Sequence, residues 1–292
     1  KESTIDTTLQ SKVDSILQNK MSEIGAISGQ AIVMEVQTGE IKTMVGNGIS
    51  QESGLIRTAS LLAALETGKV KLSDTVDVGE GVYEIHNREL LDHNWHRGGY
   101  GKLTTLQGLM VNSHIANYKN IERAFEDEQG YFDMLNKMSY GQPENIEGLD
   151  SLKPVHFVTP NDSGWSNTSL AWFCIGYNQR ISPIQTLTFY NAIANNGKMV
   201  KPTLYKGETE VINPQIASKA NIDSLQMALV KVVTEGLGKP AQSEKVQVAG
   251  VSGGSQISTD EDNSEGRVNT IYSVEYCGYF PAENPKYSII LS

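Results

Sequence analysis

The stretch Glu52–Gly68, ESGLIRTASLLAALETG, constrains this chain more than any other. Ser53 and Gly54 break regular structure. From Leu55 onward the run is apolar and made of good helix formers, and Gly68 stops it. A helix that is apolar all round offers water no face, so it is expected at the centre of the fold. Its N-terminus then holds free N–H groups and the positive end of the helix dipole inside the protein, a setting that suits an anion or a nucleophile.

The chain has 292 residues, and no Pro/Gly/Ser-rich linker, low-complexity run or internal repeat divides it. A single domain over 1–292 is expected. The net charge of −10, without a basic stripe carrying aromatics, argues against nucleic acid as a partner. No apolar run reaches the eighteen or so residues needed to span a bilayer, and no secretory leader is present. The chain starts at Lys1, which reads as a piece of something longer. Cys174 and Cys277 lie in apolar contexts and read as two buried free thiols, with a disulfide open in an oxidising compartment.

Around the central stretch the pattern is mixed. Residues 3–24 predict a strand end, then a helix with Leu9, Val13, Ile16, Leu17 and Met21 on its buried side. Residues 29–46 predict a hairpin turning at Gln37-Thr38-Gly39-Glu40. Residues 69–101 read as an irregular excursion containing DHNWHRGGYG. Its His93 and His96 have H-x-x-H spacing, but no Glu or Cys supports a zinc site, so both are read as structural. Residues 103–124 predict a helix pair broken near Asn112, and another helix follows over Tyr131–Met138. Pro183 opens a helix that Asn196-Gly197 closes, a further helix runs from Asn221 to about Gly236, and the chain ends in strands at 271–279 and 287–291. The acidic stretch ISTDEDNSEGRV, 257–268, reads as a solvated turn.

The segment GYNQRISPIQTLTFYNAIANNGKMVKP, the hairpin before the central helix, VVTEGLGKPA and the Thr58-Ala59-Ser60 triplet together resemble the class B, division-type penicillin-binding proteins. The string D-H-N-W…R-G-G-Y is similar to one in the Bacteroides group of that family. The resemblance implies an α/β (α+β) fold of the serine β-lactamase and transpeptidase type. It comprises an antiparallel sheet flanked by helices (about 1–50 and 200–292) and an all-helical subdomain (about 51–199). It also implies a membrane anchor and a non-catalytic domain outside this chain, and a further C-terminal helix on the sheet.

The family's chemical motifs are altered here. Where it has E-P-G-S-x-x-K-T-A-S, anchoring on Thr58-Ala59-Ser60 puts Gly54 at the Ser position and Arg57 at the Lys position, with one residue missing. Ser53 is the nearest hydroxyl. Arg holds its proton at ordinary pH and cannot act as a base, so the plainer reading of Ser53 is a helix cap. At the S-x-N motif the chain has Asn112-Ser113-His114, which removes the relay hydroxyl and the amide clamp. His114 titrates near neutral pH if exposed, but it reads as a satisfied polar group. At K-T-G it has Val251-Ser252-Gly253, which removes the cation beside the substrate carboxylate. A phosphate-cradling reading of GVSGGS is weaker than that of a strand edge.

The favoured expectation is a catalytically dead homologue that binds or scaffolds in peptidoglycan assembly, on the periplasmic face of the inner membrane. Its partners would be peptidoglycan or division proteins, with non-covalent β-lactams as a further ligand class and no cofactor or metal. The alternative is an active D,D-transpeptidase or carboxypeptidase that uses Ser53, Ser60 or Ser113 with a rearranged base. A weaker third reading is a sensor that binds muropeptide or β-lactam without reaction.

Overall fold

The computed structural model describes residues 1–258 and 270–292. The chain runs through helix α1 (Thr7–Ile24), strands β1 (Gln30–Glu35) and β2 (Ile41–Gly46), and helix α2 (Ile56–Glu66). Short strands β3 (Thr75–Gly79), β4 (Val82–Ile85), β5 (Arg88–Leu91) and β6 (Gly101–Thr104) follow. Next come α3 (Thr105–Met110), α4 (His114–Ala124), α5 (Glu128–Lys137), β7 (His156–Phe157), α6 (Ser169–Phe173) and β8 (Gln179–Arg180). The rest is α7 (Pro183–Ala194), β9 (Met199–Val200), β10 (Val211–Asn213), α8 (Lys219–Thr234), β11 (Ala249–Ser258), β12 (Thr270–Phe280) and β13 (Tyr287–Leu291).

The main sheet is antiparallel and has the order β11-β12-β13-β1-β2, so the two chain ends meet at its middle. The predicted β1–β2 hairpin is present, with Gly39 supplying a φ of 75° in its turn. β1 is buried on both faces because α1 and α7 both pack on it. Of the predicted α1 stripe, Ile16 is 68% exposed and lies off the packed side.

Two helices carry the core. In α2 every residue from Ile56 to Leu65 is buried, as its apolar composition predicts. α7 is buried along its whole length and packs against β12 and β13. The hydroxyl of Tyr190 on α7 hydrogen-bonds Leu55 O at 2.7 Å and Thr58 Oγ1 at 2.8 Å, which ties α7 to the start of α2.

The expected all-helical subdomain needs correction. Segment 51–199 also carries three two-stranded sheets, β3–β6, β4–β5 and β7–β8. These strands have only two to five residues each, too short for a period-2 pattern to stand out against turn-rich sequence. The break at Asn112 is real: its φ of 54° is left-handed and separates α3 from α4. Both cysteines are free and buried. The acidic turn 257–268 falls largely outside the described residues.

Candidate active site

All three altered motifs converge where the N-terminus of α2, the α3–α4 junction and edge strand β11 meet. Arg57 joins them. Its Nε donates to Gly54 O at 3.1 Å, one Nη donates to Ser252 O at 3.1 Å, and the other donates to Asn112 O at 3.4 Å. One guanidinium thus spans backbone carbonyls from three separate segments, a task its planar set of donors suits. Asn112 adds a bond from Nδ2 to Ser252 O at 3.4 Å, while its buried Oδ1 has no partner among the described residues.

Arg57 is 7% exposed and makes no ion pair among the described residues. Burial lowers its pKa, and the surrounding Tyr190, Glu275, Asp92 and Tyr177 partly restore it. It stands in the first turn of α2, where the helix dipole disfavours a cation. Where the resemblance has a lysine able to give up a proton, this site has a permanent donor.

The strand and the helix also touch directly. A Cβ on Gly54 would lie 3.1 Å from Gly254 O, and one on Gly253 would lie 3.1 Å from Leu55 N. Val251 is 2% exposed and packs into the core opposite Cys277. Ser53, Gly54, Arg57, Val251 and Gly253 are all buried, while Asn112 and Ser252 are half-buried and Gly254 is exposed.

Each hydroxyl considered as a nucleophile has a structural partner. Ser53 Oγ donates to Glu275 Oε2 at 2.6 Å and accepts from Leu55 N–H at 3.3 Å. It therefore closes the turn leading into α2, whose N-cap is Leu55. Ser60, in the middle of α2, bonds the Tyr131 hydroxyl at 2.8 Å and Cys174 O at 3.0 Å. Ser113 caps α4 through Ala116 N–H and donates to Asp92 Oδ2 at 2.7 Å.

His114 does not titrate near neutral pH. Burial, then the nearby Arg57 charge, brings its pKa down to about 3, against a backbone hydrogen bond involving Leu91 that raises it. His93 Nε2 bonds Val111 O at 3.0 Å and the Tyr100 hydroxyl at 2.8 Å, so the H-x-x-H spacing serves packing at this histidine.

Two acids central to this arrangement were missed in the sequence. Asp92 is fully buried, and its Oδ1 accepts from Ile115 N–H at 3.0 Å. Glu275 is 5% exposed, and burial raises its pKa against hydrogen bonds from Ser53 and Gln51 and the Arg57 charge. A signal for Glu275 exists: it alternates with Cys277 and Tyr279, so it shares the core-facing side of β12. An acid on a buried face asks for partners.

Comparison with known proteins agrees with this architecture. The family model described as the penicillin binding protein transpeptidase domain matches residues 29–292. The probable peptidoglycan D,D-transpeptidase PbpC of Pseudomonas aeruginosa is 23% identical over 310 residues, covering 97% of this chain and 52% of that protein. Penicillin-binding protein PbpB of Mycobacterium tuberculosis is 24% identical, covering 98% and 46%. Peptidoglycan D,D-transpeptidase FtsI of Escherichia coli is 21% identical, covering 98% and 50%. The chain thus spans about half the length of these relatives. Among solved structures, the TP domain of Burkholderia pseudomallei penicillin-binding protein 3 superposes with a TM-score of 0.86 at 20% identity, covering 99% of this chain and 87% of that one. M. tuberculosis penicillin-binding protein 3 in complex with aztreonam gives 0.82 at 22% identity, covering 99% and 71%. Family match, sheet order and the buried helix agree: the chain belongs to the penicillin-binding protein transpeptidase domain family.

Proposed function

We propose that this chain serves peptidoglycan assembly and cell division as a transpeptidase-fold domain that binds and does not acylate. Its partners are peptidoglycan or other cell-wall synthesis proteins, with non-covalent β-lactams as a further ligand class. It works on the periplasmic face of the inner membrane, through an anchor outside this sequence. The observation that carries the reading is Arg57. Acyl transfer to a serine needs a group in hydrogen-bond reach that can take the hydroxyl proton. At the lysine position this chain places a guanidinium that donates to the Gly54, Asn112 and Ser252 carbonyls and has no lone pair to take a proton.

One observation favours a second reading. Ser53 has a proton acceptor in reach, the Glu275 carboxylate at 2.6 Å, and the raised pKa of that acid suits a base. Against it stands burial: Ser53 is 2% and Glu275 5% exposed. Incubation with a fluorescent penicillin, followed by intact mass, separates the two. The binding reading expects unmodified protein. A stoichiometric acyl adduct that disappears in Ser53→Ala would establish the Ser53–Glu275 enzyme instead.

A further inference from the structure

A small cavity of about 20 Å³ lies between the first half of α2, α3 and α4. Every residue that lines it comes from segments 57–61 and 105–120. Leu61, Leu109 and Ala116 give it an apolar wall, and Arg57, Asn112, Asn117 and Asn120 give it a polar one. Arg57 is 7% exposed and Asn120 4%, so the polar wall stands inside the protein.

That wall has hydrogen-bonding groups to spare. A guanidinium carries five N–H donors. Three of the five on Arg57 are engaged, with the Gly54, Asn112 and Ser252 carbonyls, so two remain without a partner among the described residues. Asn112 points Nδ2 at Ser252 O, 3.4 Å away, which leaves its buried Oδ1 as an acceptor without a partner among the described residues. The amide cannot be turned the other way, because its oxygen would then face the Ser252 oxygen. Asn117 donates to Cys174 O at 2.9 Å through Nδ2, and Asn120 accepts from Thr105 Oγ1 at 3.4 Å through Oδ1. Polar groups buried in native interiors find a partner in protein or in ordered water.

Charge and size narrow what fits. Asp92 is fully buried on the far side of Ser113, whose hydroxyl it accepts at 2.7 Å, and the charges of Glu275 and Asp92 both act on Arg57. An anion in the cavity would meet those acids and the Asn112 oxygen. A cation would meet Arg57. What remains is a neutral molecule that both donates and accepts. A single water needs roughly 10–15 Å³ of such room and bonds two to four polar groups. The cavity offers about 20 Å³, a spare donor and a spare acceptor.

We propose that this cavity is a hydration site: one buried water accepts from a free Arg57 N–H and donates to Asn112 Oδ1. The water keeps part of the guanidinium hydrated inside the fold, where no ion pair does so among the described residues. It also ties the first turn of α2 to the left-handed residue between α3 and α4, so that junction is held by solvent as well as by Arg57. The site does not depend on the binding function proposed above.

The test is a crystal structure of the whole chain that shows ordered waters, with a sodium bromide soak as a second arm. One density peak is expected within hydrogen-bond distance of both an Arg57 nitrogen and Asn112 Oδ1, with no anomalous bromine signal there. Asn112→Gly keeps the left-handed backbone without strain and removes the acceptor, so the peak is lost from that position. In solution, a cross-peak between a long-lived water and the Arg57 side-chain N–H is expected in wild type and disappears in Asn112→Gly. Absent density or an absent wild-type cross-peak overturns the site. A bromine peak in the cavity overturns water in favour of an anion. A peak unmoved in Asn112→Gly overturns the bridge. None of these arms uses a penicillin, so an adduct in the earlier experiment leaves their outcome standing.

Discussion

α7 and the start of α2 handle the same problem in different ways. Each buries one long polar side chain that bridges backbone groups of separate segments. In α7 it is the neutral Gln185. Its Oε1 accepts from Ser182 N–H and Ser182 Oγ, and its Nε2 donates to Pro143 O and Lys153 O, each at 2.9–3.0 Å. Pro183 at the first helical position needs no N–H partner there. In α2 it is the cationic Arg57, on contacts of 3.1–3.4 Å, at the dipole end that disfavours it. The first arrangement builds scaffold at no electrostatic cost. The second sets a permanent cationic donor where the family motif has a lysine.

Four measurements break or sharpen that contrast. Gln185→Ala removes all four bonds and strands two buried carbonyls, so a loss of about 3 kcal/mol is expected in urea unfolding, with unchanged m. A loss below about 1 kcal/mol would mean that α7 is not the better-built bridge.

The next effect is pH-dependent. Folded His114 stays neutral down to about 3, against an ordinary value of 6.5, because burial and Arg57 disfavour its charged form. The unfolded chain therefore binds the extra proton in that window, and stability falls as pH drops below about 6.5, by ~2 kcal/mol at about pH 5. Glu275 has the opposite sign: its raised folded pKa means stability is lost as pH rises through it. Comparing wild type with His114→Gln cancels the Glu275 contribution. Parallel stability–pH curves for the two proteins would contradict the His114 assignment.

Arg57→Met comes third. It loses three charge-assisted bonds but also removes a buried cation without a carboxylate partner, so the net loss is about 1 kcal/mol. If chemical denaturation gave a loss equal to that of Gln185→Ala, the two bridges would be energetically alike. The smallest effect is Asn112→Gly. It relieves a left-handed φ of 54° and gives up one 3.4 Å bond, which leaves the thermal midpoint within the equivalent of about 0.5 kcal/mol.

What the sequence revealed follows from how local each signal is. α2 and α7 announce themselves through unbroken apolar runs, the β1–β2 hairpin through alternation around Gly39, and the α3–α4 break through Asn112. The three family motifs, matched separately, place Arg57, Asn112 and Ser252 in one expected site, and the three are in contact. The partner of Ser53 was invisible because Glu275 lies 222 residues away in sequence. Asp92 was hidden differently. It opens a motif whose aromatic and glycine residues dominate the pattern, while its own work is to cap α4 from outside that helix. His114 reads from the sequence as a satisfied polar group, but the desolvation and the neighbouring cation that keep it neutral are not visible in local sequence.

The close fit of Gly54 on Gly254 bears on whether a serine could be seated at position 54. Restoring a hydroxymethyl group at position 54 puts its Cβ 3.1 Å from the Gly254 oxygen and 3.4 Å from its nitrogen, both main-chain atoms that cannot swing aside. A serine there therefore asks the β11 main chain at Gly254 to give by a few tenths of an ångström.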